Sequence, residues 1–134
     1  MHPYLMPLAS LFQENSDGDI AFYMKKYMKG QYDYFGIKAP ERRELKKAFL
    51  QKYGLPENRF LIEIVRECWT LPQREYQYFI MEVLERSTKK AEKERIELYE
   101  FMIINKSWWD TVDYIAANLV GTHFLKYPEF IKAT

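Results

Sequence analysis

The sequence predicts an all-α chain, and three observations carry that prediction. Apolar residues recur at three and four along almost the whole length. The breaks between these runs are short and hold Pro, Gly or Asn. No stretch is left over that reads convincingly as a strand. In order, helices are expected at 4–14 and 18–30, parted by the break from Asn15 to Gly18, and then at 40–53, opened by Pro40 and closed by Gly54. Further runs follow at 57–70, at 72–87 behind Pro72, at 92–105, and at 108–119 and 121–133 on either side of Gly121. Pro40 and Pro72 are each expected at a first helical position, where the missing N–H removes no hydrogen bond.

Two of these openings resemble each other. "APERRELKKAFL" and "LPQREYQYFIMEVL" both set Pro, then Glu or Gln, then Arg, ahead of an amphipathic run. Pro40 and Pro72 are 32 residues apart, and the next clear capping signal, Ser107, lies 35 further on. That period is the length of a helix pair, and it points to stacked helical hairpins of the HEAT or tetratricopeptide kind, an α-solenoid. An irregular helical bundle stays open on two imperfect matches.

Composition excludes several classes. With 134 residues, 48% of them hydrophobic and 29% charged, the chain reads as one soluble globular domain over 1–134. No apolar run is long enough to span a membrane, and "MHPYLMPLAS" lacks the features of a secretory signal, so a cytoplasmic location is expected. Cys68 is the lone cysteine, which leaves no disulfide framework or Cys/His metal cluster. With Trp69 it sits amid Ile62, Val65 and Leu71 at helical spacing and reads as core. Neither a Gly-rich phosphate loop nor metal-ligand spacing is present, so no metal or cofactor is expected.

The net charge of +1 conceals an uneven distribution. Residues 25–52 hold nine basic side chains against three acidic ones, interleaved with tyrosines, whereas the first 24 residues contain no lysine or arginine. Such a local excess is the footprint of a surface that tracks phosphates, and it is equally the composition of an ordinary solvated helix pair. Arg42, Arg43, Lys46 and Lys47 run around a helix, so at most two can face one ligand. Lys38 reads as a phosphate contact or as a solvated lysine. His123 reads as packed or surface.

The stretch "NKSWWDTVD" raises a different question. Ser107 and Asp110 fit a capping box, which would start a helix at Trp108 and put Trp108, Val112, Ile115 and Leu119 on one core stripe. Trp109 and Asp113, four apart, then share the flank of that stripe. An aromatic face beside a carboxylate suits a cation, although packing of Trp109 and pairing of Asp113 with Lys106 would also account for them.

These segments together carry a resemblance. "YMKGQYDYFGIKAPERRELKK", "CWTLPQREYQY", "SWWDTVD" and "VGTHFLKYPE" closely resemble, in order and through the whole chain, the AlkD-like DNA alkylation repair glycosylases, which are HEAT-like repeat enzymes that excise alkylated purines. The resemblance implies hydrolysis of the N-glycosidic bond of cationic N3- or N7-alkylpurines in duplex DNA. It matches Asp113 to a catalytic aspartate near the sugar C1′ and Trp109 to a tryptophan packed on the lesion's sugar. A charge pair at about 4 Å is worth roughly 4 kcal/mol at an effective dielectric near 20, or about three powers of ten in rate. Tyr27 would lie on the DNA-facing surface, and Lys29, Lys38, Arg43 and Lys106 complete the expected DNA-binding set. Family members continue past the point where this sequence stops, so the chain is expected to be the amino-terminal portion of such a domain, truncated relative to the family and lacking half the cleft. Two other readings stay open. One is a non-catalytic DNA-binding repeat protein that works through residues 25–52. The other is an interaction scaffold that self-associates through its exposed carboxyl-terminal helix.

Overall fold

The computed structural model describes residues 1–129. Its elements are α-helices α1 (Met6–Glu14), α2 (Gly18–Tyr27), α3 (Ala39–Tyr53), α4 (Asn58–Thr70), α5 (Arg74–Arg86), α6 (Arg95–Ile104), α7 (Trp109–Tyr114) and α8 (Gly121–Lys126). A 3₁₀ turn, Thr88–Lys90, follows α5, and a π-helical turn, Ile115–Val120, joins α7 to α8. Extended pairing among the described residues is confined to one isolated bridge between Asp33 and Gln73. The all-α expectation holds. Contacts gather into two compact units, 1–79 and 80–134, and α5 contributes to both.

The first unit is built on aromatic residues. Phe12 of α1, Phe35 of the loop after α2 and Tyr76 of α5 form a triangle of rings with centroids 5.5–5.6 Å apart. Phe49 of α3 meets Tyr4 and Phe79 edge-on at 5.3 and 5.6 Å. Each such pair adds roughly 0.5–1.5 kcal/mol to the area it buries. Burial pushes the Tyr76 hydroxyl up to about 12, with Cys68 and Glu75 adding to the effect. Cys68 and Trp69 are buried as expected, together with Val65, whereas Ile62 of the same helix faces solvent.

Helix α2 begins as its sequence demands. The Asp17 carboxylate caps it, accepting from the N–H groups of Asp19 and Ile20 at 3.0 and 3.1 Å. It ends three residues earlier than the periodicity suggests. The Lys29 N–H donates to the Lys26 carbonyl and the Gly30 N–H to the Lys25 carbonyl, which is the paired bonding of a Schellman stop. The left-handed position of that stop, φ 59°, falls on Lys29 rather than on glycine. Pro40 lies at the second residue of α3 instead of the first, because Lys38 takes the N-cap and Ala39 opens the helix. Pro72 stands outside its helix. Gln73 is held in the bridge to Asp33 and the Arg74 N–H donates to the Asp33 carbonyl, so α5 starts only at Arg74.

In the second unit, α6 packs against the π turn. The loop before α6 is held from one direction. Lys126 Nζ donates to the carbonyls of Lys89 and Ala91 at 2.7 Å each, the Tyr127 hydroxyl donates to the Ala91 carbonyl at 2.9 Å, and His123 Nε2 lies 2.9 Å from the Lys93 carbonyl. His123 is thus a packed histidine, buried between the rings of Tyr99 and Tyr127. Arg95 is buried against Glu92, whose carboxyl burial pushes up but which its own backbone N–H and the Arg95 guanidinium hold below the usual range. The helices expected at 108–119 and 121–133 form one continuous run through Lys126, since Gly121 adopts ordinary helical angles and its N–H donates to the Ala116 carbonyl five residues back. The end of the 121–133 expectation, 130–133, lies outside the described residues.

Candidate functional site

The second unit contains Trp109 and Asp113. The last carbonyls of α6 compete for the Ser107 hydroxyl. Ser107 Oγ donates to the Ile103 carbonyl and so closes the helix behind it. Trp108 becomes the N-cap, fully extended at φ −158° and ψ 165°, with no side-chain capping bond. The Asp110 carboxylate accepts from the Thr111 N–H at 2.9 Å. α7 therefore opens at Trp109, one residue later than expected.

This start sorts the side chains of α7. Ile115 and Leu119 are buried and Thr111 joins them, whereas Trp108 and Val112 are only half-buried, so Trp108 is not the full core residue that the stripe implied. Trp109 remains 53% exposed. Asp113, one turn on, is exposed as well, and no hydrogen bond or ion pair ties its carboxylate to another described residue. Side chains at i and i+4 stand over the same patch of a helix, with Cβ atoms about 5–6 Å apart. An exposed indole and a carboxylate engaged by no described residue are thereby presented together. Lys106 precedes them, half-buried and in the left-handed region at φ 52°.

The other expected contacts belong to the first unit. Tyr27 is the last residue of α2 and 71% exposed, and Lys29 follows it on the stop just described. Lys38 is the exposed N-cap of α3, where its own side chain makes no capping bond, and Arg43 is exposed one turn further on. The four neighbouring basic residues do not run around the helix as expected: at about 100° per residue they fall within one arc of roughly 140°. Arg42 lies over the Tyr78 ring at 4.8 Å and is half-buried with Lys46, whereas Arg43 and Lys47 face solvent.

The loop that joins these two helix ends is held by a buried polar device. Glu75 is wholly buried, and its carboxylate accepts from the N–H groups of Phe35, Gly36 and Ile37 at 3.0, 3.0 and 3.3 Å. The Arg74 guanidinium, also buried, stacks on the Tyr32 ring at 3.8 Å. Gln77 donates to the carbonyls of Cys68 and Leu71 and so closes the end of α4. Gly36, at φ 93°, passes so near the start of α2 that a Cβ there would lie 2.0 Å from the Asp17 carbonyl oxygen.

Against this fold and geometry, the profile of the family described as DNA alkylation repair enzyme matches residues 8–134. The chain belongs to the DNA alkylation repair enzyme family. Among solved structures it is similar to a predicted DNA alkylation repair enzyme from Enterococcus faecalis, at 26% identity and a TM-score of 0.72 over 85% of this chain. It spans 55% of that protein's length. No curated protein matches the sequence. Among the described residues of this family member, no helix is long and apolar enough to cross a membrane, and no cluster of three or more His, Cys, Asp or Glu is set to hold a metal.

Sequence reasoning missed the roles of Arg74, Glu75 and Gln77 in this repair-family chain. A signal was available. Arg74 and Gln77 fall on the same stripe as Met81 and Leu84, at spacings of three, four and three, so a periodicity count that ignores polarity puts both inside.

Proposed function

We propose that this chain carries the base-excision chemistry of a DNA glycosylase that hydrolyses the N-glycosidic bond of cationic N3- or N7-alkylpurines in duplex DNA. One observation carries the reading. Trp109 and Asp113 are both exposed on one side of α7, and the Asp113 carboxylate is engaged by no described residue.

The chemistry suits so sparse a site. An alkylated purine with a formal positive charge is already a good leaving group, so the protein need not protonate the base. As the bond to C1′ lengthens, positive charge moves onto the deoxyribose. A carboxylate held beside that carbon stabilises the developing charge more than the ground state, and it can orient the incoming water. The indole supplies a flat, electron-rich surface for the sugar and its charge. Asp113 and Trp109 take these two roles. Tyr27, Lys29, Lys38, Arg43 and Lys106 supply the contacts to the backbone of the duplex. Support for Lys38 comes from its place as the N-cap of a helix that its own side chain does not cap, since such an end favours a phosphate.

The reading also accounts for why the pair is left exposed. A tryptophan more than half exposed forgoes the burial that would otherwise contribute roughly 1.5–3 kcal/mol or more for a large apolar side chain, and a ligand that covers it recovers that term.

The test is release of 7-methylguanine from methylated duplex DNA at low salt, with Asp113→Asn run alongside under single-turnover conditions. We expect the variant to slow release by roughly a hundredfold or more, the usual consequence of removing one group that stabilises transition-state charge, with its thermal melting unchanged because the Asp113 carboxylate engages no other described group. Equal release by the two proteins would remove Asp113 from the chemistry.

A further inference from the structure

Helix α2 is ten residues long and buries none of them fully. Phe22, Tyr23 and Tyr27 are 65%, 68% and 71% exposed, with the first two rings edge-on at 5.6 Å. At about 100° per residue, Phe22, Lys26, Tyr23 and Tyr27 occupy a single arc of roughly 140°. The helix rests on the core only through the half-buried Ile20, Ala21 and Met24. Three large exposed rings around one lysine, with two further lysines beside them, give α2 an aromatic and basic outer face. Neither Asp113 nor Trp109 has any part in it.

We propose that the outer face of α2 is a stacking platform for single-stranded DNA, with Phe22 and Tyr23 covering the faces of unpaired bases and Lys26 and Lys29 following the phosphates. Charge complementarity selects this occupant. Lys25 is tied to Asp33 at 2.9 Å, but the Lys26 ammonium is engaged by no described residue, and the positive excess of residues 25–52 begins here. A second copy of the chain would bring the same lysines against these, which opposes self-association through this face. An intact duplex offers the rings sugars and phosphates and keeps its base faces stacked inside, so Phe22, which has no hydrogen-bonding group, gains nothing from it. Unpaired bases expose the flat surfaces that aromatic rings cover, and a basic track with interleaved aromatics is the general design for gripping one strand.

The platform therefore predicts a preference that double-strand chemistry alone does not. The experiment is fluorescence anisotropy with a labelled oligo-dT strand and with a duplex of equal length, using the full chain at low salt. We expect the wild type to bind the single strand, and Phe22→Ala with Tyr23→Ala to weaken that binding by roughly tenfold or more per ring, by far more than it weakens duplex binding. Phe22→Trp with Tyr23→Trp should retain the single strand and have its fluorescence quenched by it, because stacking needs the ring and not the hydroxyl. Thermal melting of each variant checks that the exposed substitutions leave the fold intact. Failure of the wild type to bind the strand, or an equal loss for strand and duplex, overturns the proposal. So does capture by phosphatidylserine vesicles, or a dimer in sedimentation, if the double alanine variant abolishes it. Base release with Asp113→Asn answers separately for the glycosylase reading, so either idea can fall while the other stands.

Discussion

Lys29 occupies a position that a protein selected only for stability would give to glycine. Its left-handed backbone at φ 59° costs about 1 kcal/mol for an L side chain, and the stop it completes would form as well without that side chain. Lys106, at φ 52°, is the second such residue, and positive-φ residues other than glycine among the described ones number these two. Both are in the expected DNA-binding set. Backbone strain of this kind tends to persist where a side chain must be aimed. Lys29→Gly should accordingly raise the stability measured by urea unfolding by roughly 0.5–1 kcal/mol and at the same time weaken duplex binding. A variant that is no more stable, or that binds DNA as the wild type does, would make the lysine incidental. The sequence marks this residue only as one of several lysines in a basic stretch, because its strain comes from the end of α2, which periodicity places three residues too late.

Helix α5 shows what a pattern of apolar positions can and cannot reveal. Its existence and core stripe are legible from the recurrence of large side chains. Its start is not, because Pro72 looks like an opening residue, and only the bridge between Asp33 and Gln73 holds that segment extended. The buried Glu75 is hidden for a related reason: a carboxylate is read as solvated unless the N–H groups waiting for it are known, and those lie some forty residues earlier. Glu75→Gln tests the arrangement. One carboxylate oxygen serves Phe35 and the other serves Gly36 and Ile37, so an amide must turn its NH₂ toward at least one N–H donor. A loss of roughly 2–3 kcal/mol in urea unfolding is expected for the buried, charge-assisted bonds, with Gly36→Ala at least as damaging because its Cβ meets backbone. A loss below about 0.5 kcal/mol for both would mean that the loop from 31 to 38 is held by its rings alone. Ser107 teaches the converse. Its motif is correct for an N-cap, but its hydroxyl is taken by the helix that precedes it.

Across the whole chain a net charge of +1 gives little long-range attraction for DNA, so the proposed duplex binding must come from local placement. If Lys29, Lys38, Arg43 and Lys106 each neutralise one phosphate, the logarithm of duplex affinity should fall with that of salt concentration at a slope of about −3 to −4. A titration flatter than about −1 would leave most of that set without a phosphate. The family and the all-α class were legible in the sequence because they rest on motifs spread through the chain. Legible too was the juxtaposition of Trp109 with Asp113, since four residues on a helix fix a direction without any knowledge of tertiary contacts. The π turn was not legible, and it governs how that direction can change. A turn closed by bonds to the fifth residue holds one residue more than an α-turn, so it acts as a phase shift between two otherwise rigid screws. Were the same residues to close as plain α-helix, with none lost, the face bearing Trp109 and Asp113 would swing by about 100° against Gly121–Lys126. The aim of the pair is thus set by how that turn closes, with no exchange of Trp109 or Asp113.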